Sequence, residues 1–81
     1  MDKNRLIWAS RRGMLELDLI LIPFLENHYS ALSDEDKTAY QLLLKSEDQD
    51  LFAWFMKKSR PDDPILAGIV DKVNISRPQP S

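Results

Sequence analysis

The chain has 81 residues, 43% of them hydrophobic and 30% charged, with a formal net charge of −2. That is the composition of one globular domain of modest stability, since a chain this size buries little more than ~60% of its unfolded surface. Absent cysteine excludes a disulfide framework and a thiolate metal site, and a single histidine, His28, excludes a histidine-rich centre.

The longest apolar run, Leu19 to Leu25, contains Pro23 and falls far short of the ~20 residues of a membrane span. The opening "MDKNRLIWAS" has too short an apolar run for a signal peptide. A cytoplasmic or similarly reducing location is the expectation. Charge is unevenly spread. Residues 1–12 carry Lys3, Arg5, Arg11 and Arg12 against Asp2, whereas residues 13–50 hold nine acids against Lys37 and Lys45.

Few glycines and abundant Leu, Ala, Lys, Glu and Asp favour an all-α domain. A first helix covers about Asn4 to Arg11, with Trp8 either a packing anchor or a surface residue. Gly13 is a natural terminator, because it takes the left-handed conformation without a Cβ clash. A second helix starts near Met14, with Glu16 and Asp18 in its first turns, where the helix dipole favours acids. Leu17, Ile20, Leu21 and Phe24 fall at i, i+3, i+4 and i+7 and form a buried stripe. Leu19, Ile22 and Leu25 make this helix apolar nearly all round, so it is expected at the centre of a bundle. Pro23 should bend it or end its regular part within a turn.

"SDED" at 33–36 reads as a cap, with Ser33 at the N-cap and Asp36 at N3. The third helix then points Ala39, Tyr40, Leu42 and Leu43 inward. Ser46 and Gln49 predict a second capping box before a fourth helix carrying Leu51, Phe52, Trp54, Phe55 and Met56. "DDP" at 62–64 places Asp63 at an N-cap and Pro64 at N1 of a fifth helix, whose apolar stripe is Ile65, Leu66, Ile69, Val70 and Val73. The expected architecture is a compact antiparallel bundle of five short helices over residues 1–75, followed by a disordered tail over 76–81.

No phosphate loop, zinc spacing or Ser/His/Asp set is present. Glu16 and Asp18 point to different sides of a helix and make no carboxylate pair. An independent enzyme is therefore not expected, and there are no catalytic or metal-binding candidates. Lys3, Arg5, Trp8, Arg11 and Arg12 could form a small basic patch, but no recognition helix or RNA-binding sheet signature accompanies it. The remaining candidate is "RRGMLELD", residues 11–18. It is either an ordinary pair of helix ends or a rigid, charged corner suited to docking on another protein; the residues alone leave both open.

The segment "RRGMLELDLILIPFLENHYSALSDEDK" resembles the succinate dehydrogenase flavinylation factors, also called FAD assembly factors. Their Arg-Gly-x-x-Glu signature is matched by Arg12, Gly13 and Glu16. Trp8 precedes the arginine by four and Asp18 follows the glutamate by two. Pro23, Phe24, Glu26, Tyr29, Leu32, Ser33 and Lys37 match a second block, and Asp50, Leu51, Phe52, Trp54 and Met56 a third. The likeness runs over about residues 5–73. Leu15 stands where bacterial members often carry a basic residue.

The resemblance implies a five-helix bundle that acts as a monomeric cytoplasmic assembly chaperone. It implies binding to the flavoprotein subunit of succinate dehydrogenase, and of fumarate reductase, and promotion of covalent FAD attachment there, with no cofactor held stably by the chain itself. The partner-binding residues it implies are Arg12, Gly13 and Glu16, with Arg5, Trp8, Arg11 and Asp18 at the rim. Relatives have also been described as antitoxins that neutralise a small membrane-associated toxin, which is the alternative reading.

Overall fold

The structure is a computed structural model that describes residues 3–11 and 13–76. Five α-helices succeed one another: α1 (Lys3–Ser10), α2 (Leu15–Asn27), α3 (Asp34–Leu43), α4 (Asp48–Phe55) and α5 (Pro64–Ser76). A single 3-10 turn, Tyr29–Ala31, lies between α2 and α3. The described residues include no strand. The Cα radius of gyration is 11.6 Å, close to the ~12 Å of a compact domain this long. No described helix is long and apolar enough to cross a membrane. The expected tail falls outside the described residues from position 77 onward, and its first residue, Ser76, closes α5.

The core is organised on α2, which packs against α1, α4 and α5. Its predicted stripe of Leu17, Ile20, Leu21 and Phe24 is buried, together with Leu25. Leu6 of α1, Tyr40 and Leu43 of α3, Leu51 and Phe55 of α4, and Ile69, Val70 and Val73 of α5 complete it. Leu19 departs from the all-round apolar expectation and is 65% exposed. At about 100° per residue it lies roughly 160° from Leu17, on the far side from the core. Pro23 is exposed and α2 runs one further turn, to Asn27, where the His28 N–H still donates to the Phe24 carbonyl at 2.9 Å. The carbonyl that loses its donor to Pro23 belongs to Leu19, an exposed residue, so water can replace the missing bond.

Two caps form as the residues predict. The Asp36 N–H donates to Ser33 Oγ at 3.2 Å. The Ile65 N–H donates to Asp63 Oδ1 at 2.8 Å, with Pro64 opening α5. The Ser46–Gln49 capping box does not form. Glu47 is the N-cap of α4 and its side chain caps nothing, while Gln49 Nε2 donates to Glu47 Oε2 at 3.1 Å. Ser46 is committed to the turn that closes α3, where its N–H donates to the Leu43 carbonyl. Asp48 and Asp50 favour the start of α4 through its dipole instead.

Helix α4 ends on a non-glycine residue in the left-handed region, Lys57 at φ 61°. The Lys58 N–H donates to the Ala53 carbonyl at 2.9 Å, the outer bond of a Schellman closure. Leu42 and Ile65, both expected inward, are 38% and 58% exposed. They are the outermost members of their stripes, and among the described residues no further element covers the seam between α3 and α5 beside them.

Candidate functional site: the α1–α2 corner

The candidate corner begins where α1 stops. The Arg11 N–H still donates to the Ile7 carbonyl at 3.1 Å, which extends the helical path one residue beyond Ser10. Gly13 then adopts φ +78°, a conformation that costs an ordinary L-residue ~1–2 kcal/mol. A Cβ built on Gly13 meets nothing within 4 Å. The glycine is therefore favoured by its backbone angle, not by crowding among the described residues. Met14 is extended, at φ −107° and ψ 116°, and is the N-cap of α2 without a side-chain cap. Its carbonyl accepts from the Leu17 and Asp18 N–H groups at 3.1 and 3.0 Å, which fixes the direction in which α2 departs.

A buried polar pair anchors the corner. Ser10 is fully buried, and its Oγ lies 2.8 Å from the Tyr40 hydroxyl. The Tyr40 hydroxyl also donates to the Leu21 carbonyl at 3.4 Å. With Ser10 as donor to Tyr40, both hydroxyls are satisfied, as buried polar groups must be. One side chain of α3 thus ties the last residue of α1 to the middle of α2. Phe24 and Tyr29 pack their rings on Tyr40 with centroids 5.5 Å away. This anchor has no local signature in the sequence, because its partners are 30 residues apart; the only hint is a serine on the apolar face of α1.

The predicted site residues fall as follows. Arg5 and Trp8 share the outer face of α1, opposite buried Leu6 and Ser10. Arg11 and Gly13 are exposed in the connection, and Glu16 is exposed in the first turn of α2. Asp18 is half-buried in the same turn, on another side of the helix. Arg12 lies outside the described residues. Trp8 is not a packing anchor, because its side chain is 76% exposed. The core side of α1 is taken by Leu6 and Ser10, and Trp8 lies about 160° round the helix from Leu6.

The surface around the corner also holds apolar side chains that the charge pattern conceals. Leu15 is 67% exposed and lies one turn before exposed Leu19 on α2. Trp8, Leu15 and Leu19 place three large hydrophobic groups in water on the two elements that flank Gly13. The exposed charges Arg5, Arg11 and Glu16 lie on the same two elements and their junction. Exposed aromatic and aliphatic groups mixed with charge can make a docking surface, in which the apolar groups supply burial and the charges supply register. Among the described residues no three His, Cys, Asp or Glu side chains are grouped to hold a metal ion.

Comparison with known proteins places the chain in context. Residues 4–76 match the family described as flavinator of succinate dehydrogenase. The chain is 48% identical over 79 residues to the FAD assembly factor SdhE of Pseudomonas putida, covering 98% of this chain and 93% of that relative. It is 52% identical over 73 residues to the FAD assembly factor SdhE of Shewanella oneidensis, covering 90% and 89% respectively. Its fold is similar to the solution structure of a UPF0350 protein, with TM-score 0.73 and 45% identity, over 88% of this chain and 76% of that one.

Proposed function

The chain belongs to the family of flavinators of succinate dehydrogenase, and on that premise we propose that it is an FAD assembly factor. It binds the flavoprotein subunit of succinate dehydrogenase, and that of fumarate reductase, and promotes covalent attachment of FAD to that subunit. It works as a monomer in the cytoplasm and is not itself an enzyme; the bond-forming chemistry belongs to the flavoprotein and its FAD. A binding protein accelerates such a reaction only by the margin with which it prefers the reactive arrangement of its client over the unreactive one.

The docking surface is the α1–α2 corner, and the observation that carries this reading is Trp8. A tryptophan beside the Arg12-Gly13-x-x-Glu16 motif stays in water although the bundle has a core to receive it. Buried aromatic side chains dominate the energetics of interfaces. Arg12 and Glu16 pair with client groups, and Gly13 lets the client backbone approach a bare Cα. Arg5, Arg11 and Asp18 lie at the rim. No observation favours the antitoxin alternative.

The test is titration of purified apo-flavoprotein with the wild-type chain and with Gly13→Arg, alongside circular dichroism of each. The variant is expected to keep its helical spectrum and to bind at least tenfold more weakly. Binding of Gly13→Arg at wild-type affinity, or its failure to fold, would remove Gly13 from the docking surface.

A further inference from the structure

A second surface lies between α3 and α5, where a groove of about 610 Å³ opens. Ala39 and Ile69 form its buried base, and Leu42 and Ile65 line it while remaining 38% and 58% exposed. These are two side chains whose helical phase expects a neighbour that the described residues do not supply.

Gly68 lines the same groove. It sits inside α5, where glycine is among the least favourable residues. A Cβ built on it meets nothing within 4 Å, and its φ is not in the left-handed region. Neither packing among the described residues nor backbone angle requires a glycine there. Its bareness has one structural consequence, which is to leave the groove open for something from outside.

The rim specifies the charge of that occupant. Asp34, Glu35 and Asp36 line the groove from α3 against one cation, Lys72 of α5. Lys72 is already paired with Asp36. Asp34 and Glu35 are exposed and, among the described residues, have no ion-pair partner. An apolar trough with an acidic edge complements a helix with small and aliphatic side chains along one face and Lys or Arg beside them. A second copy of this chain fits poorly, because in an isologous contact it would present the same rim of three acids and one lysine and supply no excess of positive charge.

The groove is separate from the corner. The corner is tied to α3 through Tyr40, whereas Thr38 and Leu42 line the groove about half a turn round the same helix. We propose that the α3–α5 groove binds a basic amphipathic helix of a protein partner, independently of whatever docks on the corner.

The probe is a displayed library of random 16-residue peptides, selected on the full chain and counter-selected on Gly68→Leu. Enriched sequences should space aliphatic residues at i, i+3 or i+4, and i+7, with a clear excess of Lys and Arg. A synthetic peptide of the enriched sequence should shift the amide resonances of Leu42, Ile65 and Gly68. Its affinity should fall at least tenfold in Gly68→Leu and in the Asp34→Lys, Glu35→Lys double variant, and should weaken as salt is raised. Thermal melts of both variants establish that the fold survives; if Gly68→Leu does not fold, the double variant decides alone. Four results would overturn the proposal. These are no enrichment, enrichment of acidic or extended sequences, shifts confined to the Gly13 corner, and a dimer of this chain, seen by sedimentation, that the double variant disrupts.

Discussion

Gly13 offers a test in which conformational strain and steric access rank alanine and asparagine in opposite order. At φ +78° an alanine costs ~1–2 kcal/mol in the native state. Its lower entropy in the unfolded chain returns ~0.4–1 kcal/mol. No clash adds to this, because a Cβ there meets nothing within 4 Å. The net loss for Gly13→Ala is therefore about 1 kcal/mol, which lowers the melting temperature of a domain this size by roughly 4–8 °C. Asparagine tolerates the left-handed region better, so Gly13→Asn should melt between alanine and wild type. Docking should follow side-chain size instead, with Asn weaker than Ala and Ala weaker than Gly. Thermal melts by circular dichroism give the first order, and calorimetric titration with the flavoprotein subunit gives the second. If affinity tracks melting temperature, the glycine serves only the turn. If Gly13→Ala melts with wild type, the strain reasoning is wrong.

Tyr40→Phe should cost about 1–3 kcal/mol by leaving the buried Ser10 hydroxyl without its 2.8 Å partner; in a double-mutant cycle with Ser10→Ala, measured by urea unfolding, the two losses should be clearly non-additive. Lys57→Gly, at φ 61°, should raise stability by roughly 0.5–1 kcal/mol in the same assay, since glycine closes the end of α4 without strain. Asp71 is hydrogen-bonded and ion-paired to Arg60 at 2.7 Å, which holds its carboxyl below the usual value. Its contribution is therefore full above the ordinary carboxylate pKa of about 3.9 and is lost as pH falls through the lower folded value. Asp71→Asn should accordingly flatten the acid limb of a stability–pH curve; an unchanged limb would count against the pair.

Much of this architecture could be read from the residues because its causes are local. Ser33 and Asp63 mark helix starts through bonds made within four residues, Pro64 does so through its fixed φ at the first helical position, and Leu17, Ile20, Leu21 and Phe24 share one helical face. Gly13 was legible as a terminator for the same reason. What escaped depends on which element covers which face. Periodicity assigns Leu42 and Ile65 to apolar stripes, and Leu19 makes α2 apolar nearly all round, but neither says where the neighbouring helix stops, so all three are more exposed than expected. Ser46 has the right residue type for a cap and was claimed by the preceding turn. Trp8 is decided by which face α1 turns to the core, and that face carries Leu6 and Ser10, whose hydrogen-bond partner Tyr40 lies 30 residues away. The motif around Gly13 was recognisable, whereas the exposed Leu15 and Leu19 beside it became visible only in three dimensions.

In its proposed role this chain drives covalent attachment of FAD to a flavoprotein. In-gel flavin fluorescence of the succinate dehydrogenase flavoprotein subunit tests it most directly, in cells that lack the chain and in cells complemented with wild type or Gly13→Arg. The expected result is a subunit that is present but weakly fluorescent without the chain, restored by wild type and not by Gly13→Arg. Equal covalent flavin in the presence and absence of the chain would rule that role out.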